Sequence, residues 1–166
     1  EMKSRIQETD STVPEKRGEY LYYTRTESGQ QYPIYCRRKD LPESLEEVLL
    51  DQNLLADGKS FCSVGAFAVS PDGTKLAYSL DVEGAEVYTI YIKDLTDQVI
   101  YTESIENTFS SVYYRTGVEW ANDNQTIFYL TLDAAQRPYR VWSHKLGTAV
   151  SEDRLFFQED DETYTL

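Results

Sequence analysis

Residues 66–80 read AFAVSPDGTKLAYSL, two short apolar stretches joined by a turn sequence. In the first stretch Phe67 and Val69 alternate with alanines, which is the period-2 pattern of a strand whose successive side chains point to opposite faces of a sheet. Pro71 presets φ at the second position of a turn, and Gly73 is favoured at the fourth position. The segment therefore predicts a β-hairpin.

The same pattern recurs before and after this hairpin. When the sequence is aligned with itself at shifts of 51 and 56 residues, two groups of aromatic-rich segments coincide. The aligned segments are 20–22, 76–78 and 127–129 for one strand, and 32–35, 88–91 and 139–142 for the next strand. Internal repetition of this kind decides the architecture, and here it indicates three related units.

Each unit is predicted to form a four-stranded antiparallel meander. In the middle unit the hairpin is followed by strands at 87–93 and 99–101, and the last of these matches 48–50 and 155–157 in the flanking units. Four-stranded units of about 40 to 55 residues that are rich in β-branched and aromatic side chains are typical of β-propeller blades. The predicted fold class is therefore all-β, with the architecture of a partial β-propeller.

The predicted domain boundaries follow from these repeats. The blades cover about 18–55, 61–104 and 113–160, after an N-terminal lead-in segment at 1–17. Ring closure removes exposed sheet edges and typically takes four to eight blades, so three blades cannot close. The alternating stretch at 162–166 predicts the start of a further strand. This favours an arc cut from a longer protein over several copies that complete a ring together.

One local pattern conflicts with the repeat. Ser44 and Glu47 have the spacing of a capping box, which would start a helix near Leu45. The repeat predicts instead a strand at 48–50, followed by a short helical turn around 53–56. The strand is the preferred prediction, because three aligned copies arise by chance less often than one capping pattern.

Composition limits the class of partner. The 166 residues include 16 Lys+Arg and 29 Asp+Glu, a formal net charge of −13, and such an excess repels the phosphate groups on which nucleic-acid binding depends. With 40% hydrophobic residues the chain can form a packed core. No window approaches the roughly 20 apolar residues of a membrane helix. The sequence therefore predicts a soluble protein that binds neither nucleic acid nor membrane.

The two cysteines, Cys36 and Cys62, are predicted to be small packing residues. They lack the CxxC spacing of a structural zinc site, and they are too few for a disulfide framework. This usage fits a reducing compartment, so the predicted location is the cytoplasm.

No catalytic, cofactor-binding or metal-binding residue is predicted. His144 is the only histidine and so the obvious general base, but the repeat aligns it with Arg37 and Lys93 at the end of the third strand of each unit. A structural role for its polar side chain is preferred, since the sequence nominates neither a nucleophile nor a third group to orient the ring.

The acidic motifs also have structural interpretations. Asp72-Gly73 and the run Asn122-Asp123-Asn124 lie at equivalent places in two units, and they are predicted to be hairpin turns rather than calcium loops because they lack the EF-hand spacing. The glycosylation sequon Asn124-Gln125-Thr126 lies in the same turn. Acidic runs at 40–47 and 159–162 are predicted to be solvated loops.

Tyrosine pairs at 22–23 and 113–114 suggest either a platform for stacking nucleobases or packing inside the blades. Packing is preferred, because the repeat makes Tyr22, Tyr78 and Tyr129 equivalent interior positions and because the net charge disfavours nucleic acid.

Several segments, in order along nearly the whole chain, resemble the amino-terminal part of the oligopeptidase B family of prolyl-oligopeptidase-type serine peptidases. They are EMKSRI at 1–6, YYTR at 22–25, QYPIYCR at 31–37, VSPD at 69–72, YTI at 88–90, WANDN at 120–124 and HKLGT at 144–148. In that family a seven-bladed propeller lies over a carboxy-terminal α/β-hydrolase domain that holds the Ser, Asp and His triad. The resemblance implies cleavage of short peptides after Arg or Lys, with the propeller gating access and excluding folded proteins.

This chain would then contain the lead-in segment, which packs on the catalytic domain, and about three of the seven blades. The Gly-x-Ser-x-Gly turn of an α/β-hydrolase nucleophile does not occur in it. No triad position can be carried over, so the parent protein is expected to be the enzyme and this chain alone to be inactive. Its expected partners are the hydrolase domain and short basic peptides, whose local concentration a negative propeller would raise. The alternative is a noncatalytic interaction scaffold that self-assembles through its sheet edges.

Overall fold

A computed structural model describes residues 9–113 and 115–166. Its strands form antiparallel sheets, which confirms the predicted all-β class and is consistent with a partial β-propeller. The described residues divide into two compact units, one ending at Lys59 and one beginning at Ser60. None of the helices in these residues is long and apolar enough to cross a membrane.

The first unit contains one four-stranded sheet. Its elements are β1 (Glu15–Arg17), β2 (Tyr20–Arg25), β3 (Ile34–Lys39), β4 (Glu47–Asp51) and α1 (Gln52–Ala56). The strands follow each other in chain order across the sheet. β1 falls within the segment predicted as a lead-in, so the sheet extends back to Glu15, while residues 1–8 of that segment lie outside the described residues.

The second unit contains an eight-stranded sheet. Its strands are β5 (Ser63–Val69), β6 (Lys75–Asp81), β7 (Tyr88–Asp94), β8 (Ile100–Phe109), β9 (Val118–Trp120), β10 (Thr126–Leu132), β11 (Pro138–Lys145) and β12 (Arg154–Gln158). The order is β12-β11-β10-β8-β7-β6-β5, and β9 pairs with β10. The buried core consists of Ala66, Ala77, Ile90, Ile92, Ile105, Val118, Ile127, Tyr129 and Leu146.

The second and third predicted units correspond to β5–β8 and β9–β12, but the structure joins them into one sheet. β8 is much longer than the predicted strand at 99–101. It pairs with β7 from Ile100 to Thr108, and its last residues, Thr108 and Phe109, also pair with β10 on the other side. The polar residues after Tyr101 conceal this extension in the sequence. Burial of Ile105 and Thr108, at 3% and 0% exposure, stabilises it.

After Ser44 the structure contains the strand that the repeat predicts, and not the helix that the capping box predicts. β4 begins at Glu47 and α1 follows it, as the repeat predicts. The Ser44 hydroxyl donates to the Lys39 carbonyl oxygen at 2.6 Å, and Glu47 is paired with Arg37, so the capping box does not form. The helix is capped instead by the Asp51 side chain, which accepts the Asn53 N–H at 2.9 Å.

The strand predicted at 162–166 is wrong. This segment contains a turn without strand pairing. The Arg137 guanidinium donates to the carbonyl oxygens of Asp161 and Tyr164 at 3.0 and 2.6 Å, and the Leu166 N–H donates to the Pro138 carbonyl oxygen. These bonds hold the segment beside the β10–β11 connection, so its alternating sequence does not produce a strand.

The predicted equivalence of the three tyrosines holds for two of them. Tyr78 faces Tyr91, and Tyr129 faces Trp142 in the same register, and both tyrosines are buried. Tyr22 instead faces Arg37 and is half-buried. The last pairs before the two turns, Arg25–Ile34 and Leu80–Thr89, are both nine residues apart. Counted from the turn, Tyr23 therefore has the register of Tyr78, and Tyr22 lies one residue further along the strand.

Candidate functional site

His144 lies in a buried polar cluster of the second unit. It is the next-to-last residue of β11 and is 0% exposed. Its Nδ1 atom lies 2.6 Å from Oδ1 of Asp153, whose side chain is 3% exposed. The other carboxylate oxygen of Asp153 accepts the Tyr129 hydroxyl at 2.7 Å. Burial and this hydrogen bond raise the pKa of Tyr129, so its hydroxyl remains a donor to Asp153.

The opposite edge of the imidazole faces Glu103 on β8. The Nε2 atom lies 3.8 Å from Oε2 of Glu103, and that oxygen accepts the Gly147 N–H at 2.9 Å. Two buried atoms of this pair, His144 Nε2 and Glu103 Oε1, make no hydrogen bond. The cluster therefore combines strands β8, β10 and β11 with the turn that precedes β12.

A histidine oriented by an aspartate is two thirds of a catalytic triad, but this one has no access to a substrate. The ring is fully buried, and the group that its Nε2 faces is a carboxylate rather than a hydroxyl or thiol. A general base must reach the proton that it abstracts. The geometry therefore supports a structural role for this cluster in the second unit.

In the two acidic turns, the aspartate carboxylates accept hydrogen bonds from residues of the same turn. Oδ1 of Asp72 accepts the Thr74 N–H and the Ser70 hydroxyl, at 3.0 and 2.6 Å. Oδ1 of Asp123 accepts the N–H groups of Gln125 and Thr126 at 2.9 and 2.8 Å. These backbone donors hold the pKa of Asp123 below its usual range. Both segments are hairpin turns, between β5 and β6 and between β9 and β10.

The sequon asparagine joins these two turns. Asn124 has a positive φ of 56°, and its side-chain oxygen accepts the Asp72 N–H at 2.9 Å. A second hydrogen bond joins the adjacent strands β9 and β5: the Trp120 indole N–H donates to the Ala68 carbonyl oxygen at 2.9 Å. The motif thus connects the two repeats of the second unit. Within residues 9–113 and 115–166, no group of three or more His, Cys, Asp or Glu side chains could hold a metal ion.

Comparison with known proteins gives the family. The sequence matches the family described as "Prolyl oligopeptidase, N-terminal beta-propeller domain" over residues 1–166. The chain belongs to the prolyl oligopeptidase family. Protease 2 of Moraxella lacunata is 38% identical to it over 170 residues, which cover 99% of the chain and 24% of that relative. Dipeptidyl aminopeptidase BI of Pseudoxanthomonas mexicana is 33% identical, with the same coverage.

Solved structures give the same result. Oligopeptidase B from Leishmania major is 34% identical, with a TM-score of 0.89, and the match covers 99% of this chain and 23% of that one. Oligopeptidase B from Trypanosoma brucei is 38% identical, with a TM-score of 0.82 over 96% of this chain and 22% of that one. The resemblance to oligopeptidase B is confirmed. This prolyl oligopeptidase propeller segment spans about a quarter of the length of its relatives.

Sequence reasoning missed the partners of His144 in this prolyl oligopeptidase propeller segment. In the first unit Arg37, which aligns with His144, pairs at 2.7 Å with Glu47 on the following strand, but only the structure shows this pairing. No sequence signal points to Asp153 or Glu103, because Asp153 lies in a turn and Glu103 belongs to the preceding repeat.

The tyrosine pairs of the propeller segment have different environments. Tyr22 and Tyr23 are half-buried, and the Tyr23 hydroxyl donates to Glu46 at 2.7 Å. Burial and this bond raise the pKa of Tyr23 to about 12. Tyr113 is 90% exposed, against the prediction of packing, because it lies in the loop after β8. Tyr114 is outside the described residues.

Proposed function

We propose that this chain is the propeller part of an oligopeptidase B-like serine peptidase that cleaves short peptides after Arg or Lys. The observation that carries the proposal is the match to the prolyl oligopeptidase propeller over all 166 residues, together with 38% identity to a relative about four times as long. The bond-breaking residues would belong to a C-terminal α/β-hydrolase domain of the parent protein. Residues 1–17 would pack on that domain.

The role of the propeller in this proposal is steric and electrostatic. Blades that surround the active site would exclude folded proteins, and separation of the two domains would admit peptides. The net charge of −13 would raise the local concentration of cationic peptides. Burial of both cysteines, at 1% and 2% exposure, is compatible with the reducing cytoplasm that we propose as its location.

The test uses the peptidase that carries this chain at its N-terminus. We expect kcat/KM for arginyl substrates to fall at least about tenfold between peptides of about 5 and 40 residues, because long chains enter a gated site slowly. Replacing the substrate Arg by Ala should abolish cleavage at every length, whereas Lys should preserve it. Equal kcat/KM for short peptides and for a folded protein with an exposed arginyl loop would contradict gating. Equal cleavage after Arg and Ala would contradict the specificity.

A second candidate function rests on the edge of the second sheet. β12 pairs only with β11 in the described sheet, and its apolar side chains Leu155, Phe156 and Phe157 are 47%, 69% and 46% exposed. An exposed apolar edge strand can add a strand from another chain. We infer that a second copy of this chain would bind there, which makes a self-assembling scaffold the alternative function.

Sedimentation of the 166-residue chain tests this alternative. We expect a concentration-dependent dimer between about 1 and 100 µM. Phe156→Lys should raise the dissociation constant of the dimer at least about tenfold, because it places a charge in the apolar edge. Leu45→Lys is the matched control, since Leu45 is 90% exposed and lies far from β12 in the sequence. A monomer over the whole range would contradict self-assembly and would leave the peptidase proposal unaffected.

A further inference from the structure

The two faces of the β9–β12 repeat differ in burial. One face shares a buried core with the β5–β8 repeat, and its residues in that core include Val118, Ile127 and Tyr129. Alternate residues of a strand point to opposite faces, and the opposite face of this repeat carries a groove of about 430 Å³. The groove is lined by Thr126, Phe128, Ser143, Arg154, Leu155 and Phe156. Phe156 is 69% exposed, so this second face is open.

The β5–β8 repeat has the same face in a covered state. At the shift of 51 residues, three lining residues of the groove align with buried residues: Phe128 with Ala77, Ser143 with Ile92, and Phe156 with Ile105. Strand pairing agrees, because Phe128 and Ser143 face each other and so do the residues aligned with them. The aligned residues are 0%, 2% and 3% exposed, in the core that they share with the β9–β12 repeat. The groove therefore lies on the face that, in the preceding repeat, the next repeat covers.

The floor of the groove is aromatic. The rings of Phe128 and Phe156 pack edge to face, with their centroids 5.1 Å apart. Ser143 lies on the strand between them, and its small side chain leaves room for the two rings to meet. Exposed apolar surface of this kind marks an interaction site. A partner of this face must supply apolar side chains, as Ile127 and Tyr129 do for the covered face.

Arg154 gives the groove a positive charge. It begins β12, faces Ser143 and is exposed. It aligns with Glu103, whose carboxylate reaches the covering repeat and accepts the Gly147 N–H there at 2.9 Å. A guanidinium group has donors and no acceptor, so Arg154 requires an acceptor at the place where Glu103 meets a donor. A carboxylate is the acceptor that matches a guanidinium best in both charge and geometry.

We propose that this groove binds a further repeat of the parent protein, which packs apolar side chains on Phe128 and Phe156 and places a carboxylate against Arg154. The inference rests on the part of the proposed function that makes this chain a segment of a longer propeller, like the relative that is about four times as long. Apolar packing has no direction, whereas a guanidinium–carboxylate pair has a fixed geometry. The pair with Arg154 therefore sets the register of the two repeats.

Thiol labelling at Ser143 tests whether the face is covered. In the parent protein, Ser143→Cys should react with a thiol reagent at least about tenfold more slowly than in the 166-residue chain at about 1 µM, because the covering repeat excludes the reagent. Thr96→Cys, in the exposed turn between β7 and β8, is the control and should react equally in both proteins. The native cysteines are 1% and 2% exposed and should react slowly. Equal rates for Ser143→Cys in the two proteins would overturn the proposal.

Charge reversal at Arg154 tests the carboxylate. In the parent protein that carries Ser143→Cys, Arg154→Glu should raise the labelling rate at least about tenfold, because two carboxylates would then face each other. Arg154→Lys keeps the charge and should retain most of the protection. Lys39→Glu, the same reversal at an exposed residue of β3, should leave the rate unchanged. An unchanged rate with Arg154→Glu would contradict the charge pair.

Two comparisons separate this result from other causes. In the 166-residue chain Arg154→Glu should not change the labelling of Ser143→Cys, which distinguishes loss of docking from loss of the fold. Protection in this chain that rises with its concentration to the level of the parent protein would assign the groove to a second copy and contradict the proposal. Cleavage of arginyl peptides by a parent protein with an unprotected groove would refute this inference alone, whereas a protected groove without such cleavage would refute only the peptidase specificity.

Discussion

Gly117→Ala should lower the free energy of unfolding of the chain by roughly 2–6 kcal/mol, from backbone strain and overpacking together. Gly117 precedes β9 and has a φ of +117°, a conformation that L side chains rarely adopt. A Cβ atom there would lie 2.4 Å from the Phe109 carbonyl oxygen and 2.8 Å from Cα of Ser110. Because these are backbone atoms, the end of β8 must move.

That movement would disturb the junction between the two repeats. Phe109 pairs with Leu130, and this is part of the contact between β8 and β10. We expect the loss to be seen in urea denaturation at equilibrium, as a lower midpoint with a similar slope.

Gly147→Ala is the matched control. Gly147 also has a positive φ, of 82°, but no heavy atom lies within 4 Å of the position of its Cβ. Its substitution should reduce stability by only about 1–2 kcal/mol, from the left-handed backbone alone. If both substitutions had the same effect, the close approach at Gly117 would not be responsible.

Ile90→Ala should lower the free energy of unfolding by roughly 2–5 kcal/mol, because it removes buried methyl groups and leaves a cavity. Ile90 lies on β7 and is 1% exposed within the core of the second unit. It faces Ser79 on one neighbouring strand and Ile105 on the other, so rigid sheet surrounds it and the cavity cannot collapse readily.

Ile100→Ala is the control for this prediction. Ile100 begins the neighbouring strand and is 47% exposed, so the same change should reduce stability by about 1 kcal/mol or less. Chemical denaturation of the wild type and both variants provides the comparison. Losses of equal size would show that the core does not lie where the burial pattern places it.

Alternation and turn residues predicted most of the strands, because both patterns depend only on residues that are neighbours in the chain. The alternation and the Pro-Asp-Gly turn predict the β5–β6 hairpin, and the repeat predicts β4 and α1 correctly against the capping-box pattern. The error at 162–166 has the opposite cause. The segment alternates, but the Arg137 side chain binds its carbonyl groups, and nothing within 162–166 indicates that contact.

The repeat also has a limit as a predictor of register. It aligns Tyr22 with Tyr78, yet the residue that has the register of Tyr78 is Tyr23, and Tyr22 lies opposite Arg37. The pairing around the turn sets strand register, and alignment by side-chain type does not measure it. The same limit applies to β8, whose continuation to Phe109 depends on a pairing with β10.

The sequence alone was sufficient to establish the all-β class, the repeated meander and the resemblance to a peptidase propeller, because alternation, turn chemistry and repetition are written along the chain. Only the tertiary structure decided which polar groups meet. Glu103, Tyr129, His144 and Asp153 belong to different strands and turns, and their contact arises from strand pairing across two repeats. Such pairing depends on the packing of whole strands, so no local pattern contains it.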